Sequence, residues 1–238
     1  MIYEDEIDIS KYKIEYIGEK FSKEIKAYKV IVIGKYGVGK TTIINRLMEK
    51  EVDGEYEPTL SIDIKNIQAK VNDKKIQIQI WDCCGSDKYA QNTPNLFKNS
   101  YISLLVYAIN DKEKSFENLD NWYNILKEHS YDSIKFLIGN KNDLEKEREV
   151  TIEDAEKYKN SHDDDIKIFL ETSALYRNNL DKLLDYIAIS IYDKEINEEN
   201  KVDNAMKAGR ITLNKEDFKK IKERDKKKKK KLLLKLKS

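Results

Sequence analysis

Several functional classes are closed to this chain by scarcity. Two cysteines occur among 238 residues, adjacent at Cys83 and Cys84, which excludes a disulfide framework and any Cys-x-x-Cys metal site. Both are expected as small buried thiols. The only histidines, His129 and His162, lie far apart among polar neighbours, so both are expected at the surface and neither looks catalytic. No apolar run approaches the length of about 20 residues that spans a bilayer, and the acidic, tyrosine-rich start does not resemble a signal peptide. A cytoplasmic protein is expected.

Apolar residues make up 39% of the chain, enough for a sizeable core, while 37% charged residues leave a polar surface. One principal domain is the natural expectation. The net charge of +1 hides an asymmetry: residues 194–238 carry 17 Lys and Arg against 8 Asp and Glu, so the rest is acidic. The tail's densest part, Lys226 to Lys231, is six consecutive lysines followed by a leucine-rich end. Such a run cannot pack; it is either a solvated tail or a patch for an anionic partner.

The chain is organised around Gly34-Lys35-Tyr36-Gly37-Val38-Gly39-Lys40-Thr41, which satisfies G-x-x-x-x-G-K-[ST] at every fixed position. An apolar run, Val30 to Ile33, precedes it, and a helical pattern with Ile43, Ile44 and Leu47 follows. Glycines permit the tight bend that aims successive N–H groups at a polyphosphate, and the helix adds the positive end of its dipole. Lys40 would reach the outer phosphates and Thr41 would ligate magnesium. A glycine-rich turn that happens to carry Lys-Thr is the plainer alternative.

Further apolar runs at Ile76–Trp81, Ile102–Ile109, Ile134–Ile138 and Ile166–Leu170 are strand candidates. Ile62, Ile64 and Ile67 suggest one more, paired with Ile76–Ile80 through a turn near Asn72-Asp73. Helical patterns fall at 41–48, 115–127, after the capping-box sequence Thr151-Ile152-Glu153-Asp154, and at 179–192. Alternating strands and helices predict a doubly wound α/β sheet with ligands at the carboxyl ends of the strands. Residues 1–26 show no sustained period and read as an extension.

Each remaining motif follows a strand. Asp82 and Gly85 frame a D-x-x-G in which the carboxylate can hold magnesium through water and the glycine amide can approach a terminal phosphate. In Asn140-Lys141-Asn142-Asp143, the Asp143 carboxylate can accept from guanine N1–H and its 2-amino group, whereas adenine would leave it unpaired. The Lys141 stem can cover the base and Asn140 can tie the base loop to the phosphate loop. Glu171-Thr172-Ser173-Ala174 ends the series, with the Ala174 amide placed to meet the guanine carbonyl.

These four motifs, in this order, resemble the Ras superfamily of small GTPases over about residues 27–193. Ile80-Trp81-Asp82, Thr93-Pro94 with Phe97-Lys98-Asn99-Ser100, and Pro58-Thr59-Leu60-Ser61-Ile62-Asp63 look most like the Rab branch. The resemblance implies a P-loop fold with a mostly parallel six-stranded sheet and helices on both faces, followed by a basic tail over 194–238. It implies GTP or GDP and Mg²⁺ as ligands, with Thr41, Thr59 and Asp82 at the metal and Lys40, Thr59, Gly85 and Ser86 around the reacting phosphate. Nucleotide contacts are implied for Gly34, Tyr36, Gly37, Val38, Gly39, Lys40, Thr41, Thr42, Tyr56, Thr59, Gly85, Asn140, Lys141, Asp143, Ser173, Ala174 and Leu175. Segments near 52–63 and 85–99 would be switches that bind effectors, exchange factors and activating proteins. The expected role is a monomeric switch in vesicle trafficking, with no nucleic-acid partner; a GTP-holding scaffold that does not hydrolyse is the alternative. An ATP-using phosphotransferase is opposed by Asp143.

Departures from the family pattern shape the expectations further. Ser86 stands where a water-orienting glutamine is usual, so intrinsic hydrolysis is expected to be slow. Tyr36 replaces a small phosphate-loop residue, Val52 an aromatic over the base, and Leu175 a common lysine. The effector triad matches Ile64, Trp81 and Leu96, only one of them aromatic. C-terminal cysteines for prenylation are missing, which leaves Lys226–Lys231 to attract the anionic cytosolic face of a membrane.

Overall fold

The nearly continuous apolar runs become strands because both faces of the sheet are covered. The computed structural model describes residues 7–49, 62–83, 94–162 and 165–207. Strands are β1 (Ile14–Gly18), β2 (Ala27–Ile33), β3 (Asp63–Val71), β4 (Lys74–Asp82), β5 (Ile102–Ala108), β6 (Ile134–Asn140) and β7 (Ile166–Thr172). Helices are α1 (Lys40–Leu47), α2 (Leu119–His129), α3 (Ile152–Ser161) and α4 (Leu180–Lys207). They build a seven-stranded sheet in the order β1-β3-β4-β2-β5-β6-β7. The pairs β1–β3 and β3–β4 are antiparallel, and the other four adjacent pairs are parallel.

Alternation within each strand assigns residues to one of two cores. Val30, Val32, Leu104, Val106, Phe136 and Ile138 pack on the face covered by α1 and by Leu180, Leu183, Leu184 and Ile187 of α4. Ile31, Ile33, Leu105, Tyr107 and Leu137 face the opposite way, onto Leu119, Trp122 and Leu126 of α2 and Ala155 of α3. With no face left for water, a parallel strand has no reason to alternate in polarity.

The strand count is one more than the resemblance implied. The added strand comes from the N-terminal extension: Ile14 pairs with Val71, Glu15 with Lys70 and Tyr16 with Ala69. Ile7, Ile9, Tyr12 and Ile14 pack against the core on the α1 and α4 side. Tyr16 Oη donates to Asp185 Oδ1 of α4 at 2.7 Å, and the Tyr12 ring meets Tyr192 edge-on at 6.1 Å.

Two local readings change. The helical pattern over 115–127 is two pieces: one wide turn over Lys112–Phe116, where Phe116 N–H donates to Asp111 O at 3.3 Å and Glu117 N–H to Lys112 O at 2.9 Å, and then α2 from Leu119. His129 and His162 are half-buried rather than exposed. His162 lies against the Tyr123 and Tyr158 rings, with centroids 4.3 and 4.7 Å away. The Thr151–Asp154 capping box at the start of α3 is present in both directions.

The chain divides into two units, Met1–Tyr192 and Asp193–Ser238. The sheet belongs to the first; the described residues of the second, 193–207, form the C-terminal part of α4. Among the described residues no helix is long and apolar enough to cross a membrane.

Candidate functional site

Sheet register brings the motifs together. Val32 of β2 pairs with Asp82 of β4, so Asp82 ends its strand beside the loop that leaves β2. Ala108 pairs with Asn140, and Asn140 with Thr172, which sets the ends of β5, β6 and β7 along the same edge.

The loop from Gly34 to Gly39 needs its glycines. Gly34 has φ +144°, and a Cβ there would stand 2.1 Å from Val106 O; at Gly39, φ is +93° and a Cβ would meet Asn140 Nδ2 at 2.4 Å. Neither position admits an L side chain. Val38 is buried in the core and anchors the loop from within. Lys40, only 6% exposed, curls back over the loop and donates to Gly34 O and Lys35 O, each at 2.9 Å. Tyr36 projects outward, 61% exposed.

Thr41 Oγ1 donates to Asp82 Oδ2 at 2.7 Å. Burial raises the Asp82 carboxyl above its ordinary range, against the lowering effect of that hydrogen bond and of Lys40. Its second oxygen, Oδ1, is buried with no hydrogen-bond partner among the described residues. A hydroxyl and a carboxylate side by side, with an orphaned anionic oxygen, form a donor set that fits Mg²⁺, which takes few protein ligands and keeps several waters. Thr42 follows in the first turn of α1.

The loops after β6 and β7 are tied to the Gly34–Gly39 loop through Asn140, itself 2% exposed. Its Nδ2 donates to Val38 O at 2.8 Å, while its Oδ1 accepts from Thr172 Oγ1 and Ala174 N, both at 3.2 Å. The Ala174 amide, expected to meet the base, is thus engaged by Asn140. Ser173 Oγ donates to Asp143 Oδ1, which orients that carboxylate. Lys141 adopts φ +67° between them. Leu175 and Tyr176 are exposed at 48% and 72%.

Other expected positions fare differently. Tyr56, Thr59, Gly85 and Ser86, with Val52 and Cys84, lie outside the described residues. Cys83 is buried, as expected. Of the effector triad, Ile64 and Trp81 are cross-strand partners, but Leu96 is 6% exposed and belongs to the core, so its position offers no surface.

Sequence reading missed three supports. Arg148 forks onto Glu171, Nη1 to Oε1 at 2.7 Å and Nη2 to Oε2 at 2.8 Å, and braces β7 just before the base loop. Lys29 Nζ lies 4.3 Å over the Trp81 ring and donates to Leu96 O and Lys98 O. Arg46 and Arg177 join the base loop to the end of α1. The sequence separations involved, up to 131 residues, leave no local signal.

A family model described as the Ras family matches residues 29–193. The chain belongs to the Ras family. Similar proteins include the Ras-related protein Rab-13 of Mesocricetus auratus, 36% identical over 165 residues, or 69% of this chain and 79% of that protein. The Ras-related protein Rab-8B of Pongo abelii is 34% identical over 187 residues, covering 78% and 88%. The GTP-binding protein ypt2 of Schizosaccharomyces pombe is 32% identical over 178 residues, covering 74% and 86%. This Ras-family protein is a small GTPase resembling Rab, with the fold and the mostly parallel sheet that the motifs imply.

Proposed function

We propose that the protein is a molecular switch in intracellular vesicle trafficking that binds GTP and hydrolyses it slowly to GDP and phosphate. One observation carries the reading: Lys40 and the Thr41–Asp82 pair stand at the start of α1, and Asn140 ties that loop to Ala174, beside the Ser173 hydroxyl that holds the carboxylate of Asp143. A triphosphate would be held by the loop amides and by Lys40, which exchanges its contacts with Gly34 O and Lys35 O for phosphate oxygens. Thr41 and Asp82 would hold Mg²⁺, joined by Thr59 in the GTP state, and the ion would draw charge from the phosphate oxygens. Asp143 would select guanine, with the Lys141 stem, Ser173, Ala174 and Leu175 around the base and Gly34, Tyr36, Gly37, Val38, Gly39, Thr42, Tyr56 and Gly85 completing the nucleotide contacts.

Ser86 is too short to orient the attacking water and also contact the transition state. Ser86→Gln is therefore expected to raise the single-turnover rate by about tenfold or more; an unchanged rate contradicts this cause of slow turnover. A second reading, a GTP-holding scaffold, is favoured by Tyr36, whose exposed ring stands at the mouth of the loop. Chromatography of nucleotide released from the purified protein separates the two, since a working cycle leaves GDP and a scaffold retains GTP. The Lys226–Lys231 run would add weak, salt-sensitive attraction to an anionic membrane at about 1 kcal/mol per lysine near the surface.

A further inference from the structure

We propose that Arg177 is a positioning residue that sets how firmly the guanine-side loop is held, by locking that loop to the far end of α1; this rests on the nucleotide reading above. The contacts are reciprocal. Arg177 Nη1 donates to Arg46 O at 2.6 Å, and Arg46 Nη2 donates back to Leu175 O at 3.2 Å. Arg46 lies in the last turn of α1; its carbonyl accepts Glu49 N–H at 3.1 Å and gives its other lone pair to Arg177, where a cation is favoured by the helix dipole. The Arg177 fork is filled on its other side by Asp181 Oδ1 at 2.7 Å, which fixes the guanidinium plane.

The backbone shows how much this lock determines. Arg177 has φ +61°, a conformation that a long L side chain holds only where its surroundings require it, beside Asn179 at φ +57°, which asparagine tolerates. Between β7 and α4 the loop is pinned by the Ser173 N to Asn178 O bond at 3.1 Å and by Asn179 Nδ2 to Glu171 O at 2.8 Å. Neither of these reaches α1. Arg177 and Arg46 make that connection, and Leu175 and Ser173, on the same short loop, are the residues placed at the base and at Asp143.

Helix α1 thus acts as a strut of eight residues, about 12 Å long, with the phosphate grip at its first turn and the base loop bonded to its last. Cutting the lock leaves Asn140, which holds Ala174, as the tie between the two loops and lets the 175–177 segment move away from α1, taking with it the Tyr176 N–H that donates to Ser173 Oγ at 3.1 Å. Ser173 then orients Asp143 less strictly. The consequence is faster nucleotide release together with weaker discrimination at the purine 2-amino group.

Full-length protein loaded with fluorescent GDP, chased with excess unlabelled GDP in Mg²⁺, tests this. Arg177→Ala is expected to speed release by about tenfold or more, the scale of one lost charge-assisted hydrogen bond. Asp181→Ala, which removes only the exposed side of the fork, should stay within about twofold. Arg177→Lys should fall between, because an ammonium can still donate to Arg46 O but lacks the planar fork that fixes the direction of that bond. Repeating the measurement with inosine diphosphate, which lacks the 2-amino group, gives the discriminating readout. The gap between the two release rates should narrow in Arg177→Ala, whereas a merely destabilised domain would release both faster by the same factor. Equal acceleration of both nucleotides, or release within about twofold of wild type, overturns the proposal. Arg46→Gln removes the return bond to Leu175 O and keeps the carbonyl that Arg177 holds, so it should shift release the same way by a smaller factor and supplies a second measurement should Arg177→Ala fold poorly. If the wild-type protein retains neither nucleotide, the guanine reading itself fails, and that result precedes any comparison of variants.

Discussion

The Asp143 carboxylate accepts a hydrogen bond from Ser173 Oγ, and the role proposed for it makes a sharp demand on the purine. Asp143→Asn replaces one acceptor with a donor, so guanine loses its matched pair of hydrogen bonds while xanthine, with an oxygen at position 2, gains one. GDP affinity is expected to fall about a hundredfold or more and xanthosine diphosphate affinity to rise, as read by calorimetry; unaltered preference contradicts the role of Asp143. Lys29 offers a test by pH. Burial pulls its amine down from 10.5 to about 8, with the Cys83 thiol acting weakly in the other direction. Below about 8 the amine is protonated whether the chain is folded or not; between about 8 and 10.5 the unfolded chain binds more protons, so stability rises with pH across that window. Denaturant titrations should show wild type gaining on Lys29→Met between pH 8 and pH 10. A parallel pair of curves contradicts that account of Lys29.

Strand β1 is the element that the sequence conceals best. It has five residues, its exposed Glu15 interrupts the apolar ones, and its pairing partners Ala69 and Val71 lie more than fifty residues away. By contrast β2, β5 and β6 are legible as strands because two cores demand apolar residues at successive positions. The turn at Asn72-Asp73 is legible for a different reason: Asn72 tolerates the φ of +53° that a tight hairpin requires. Tyr16→Phe removes the donor to Asp185 and is expected to cost about 1–2 kcal/mol in chemical denaturation. Removing the first 18 residues uncovers the Gln68–Val71 edge of β3 and should lower Tm by several degrees and promote self-association. Light scattering and thermal melts check both; a truncated protein as stable and monodisperse as wild type would show that β1 contributes nothing.

Across the whole molecule, the site was legible where chemistry is fixed by neighbouring residues and hidden where it depends on folding. The cradle can be read from Gly34, Gly39, Lys40 and Thr41 because a bend, a charge and a hydroxyl must follow at fixed spacing. That Thr41 touches Asp82, or that Asn140 reaches Val38, follows only once the parallel register has brought strand ends together. Arg46 and Arg177 carry no motif at all, since their meeting depends on where α1 ends. The central claim joins these parts: main-chain donors at the start of α1 grip a polyphosphate while Asp143 admits only guanine. Competition calorimetry on nucleotide-stripped protein with Mg²⁺ tests it most directly. The account predicts tight GTP and GDP binding that a large excess of ATP does not displace; displacement by ATP as readily as by GTP, or binding of neither, would contradict it.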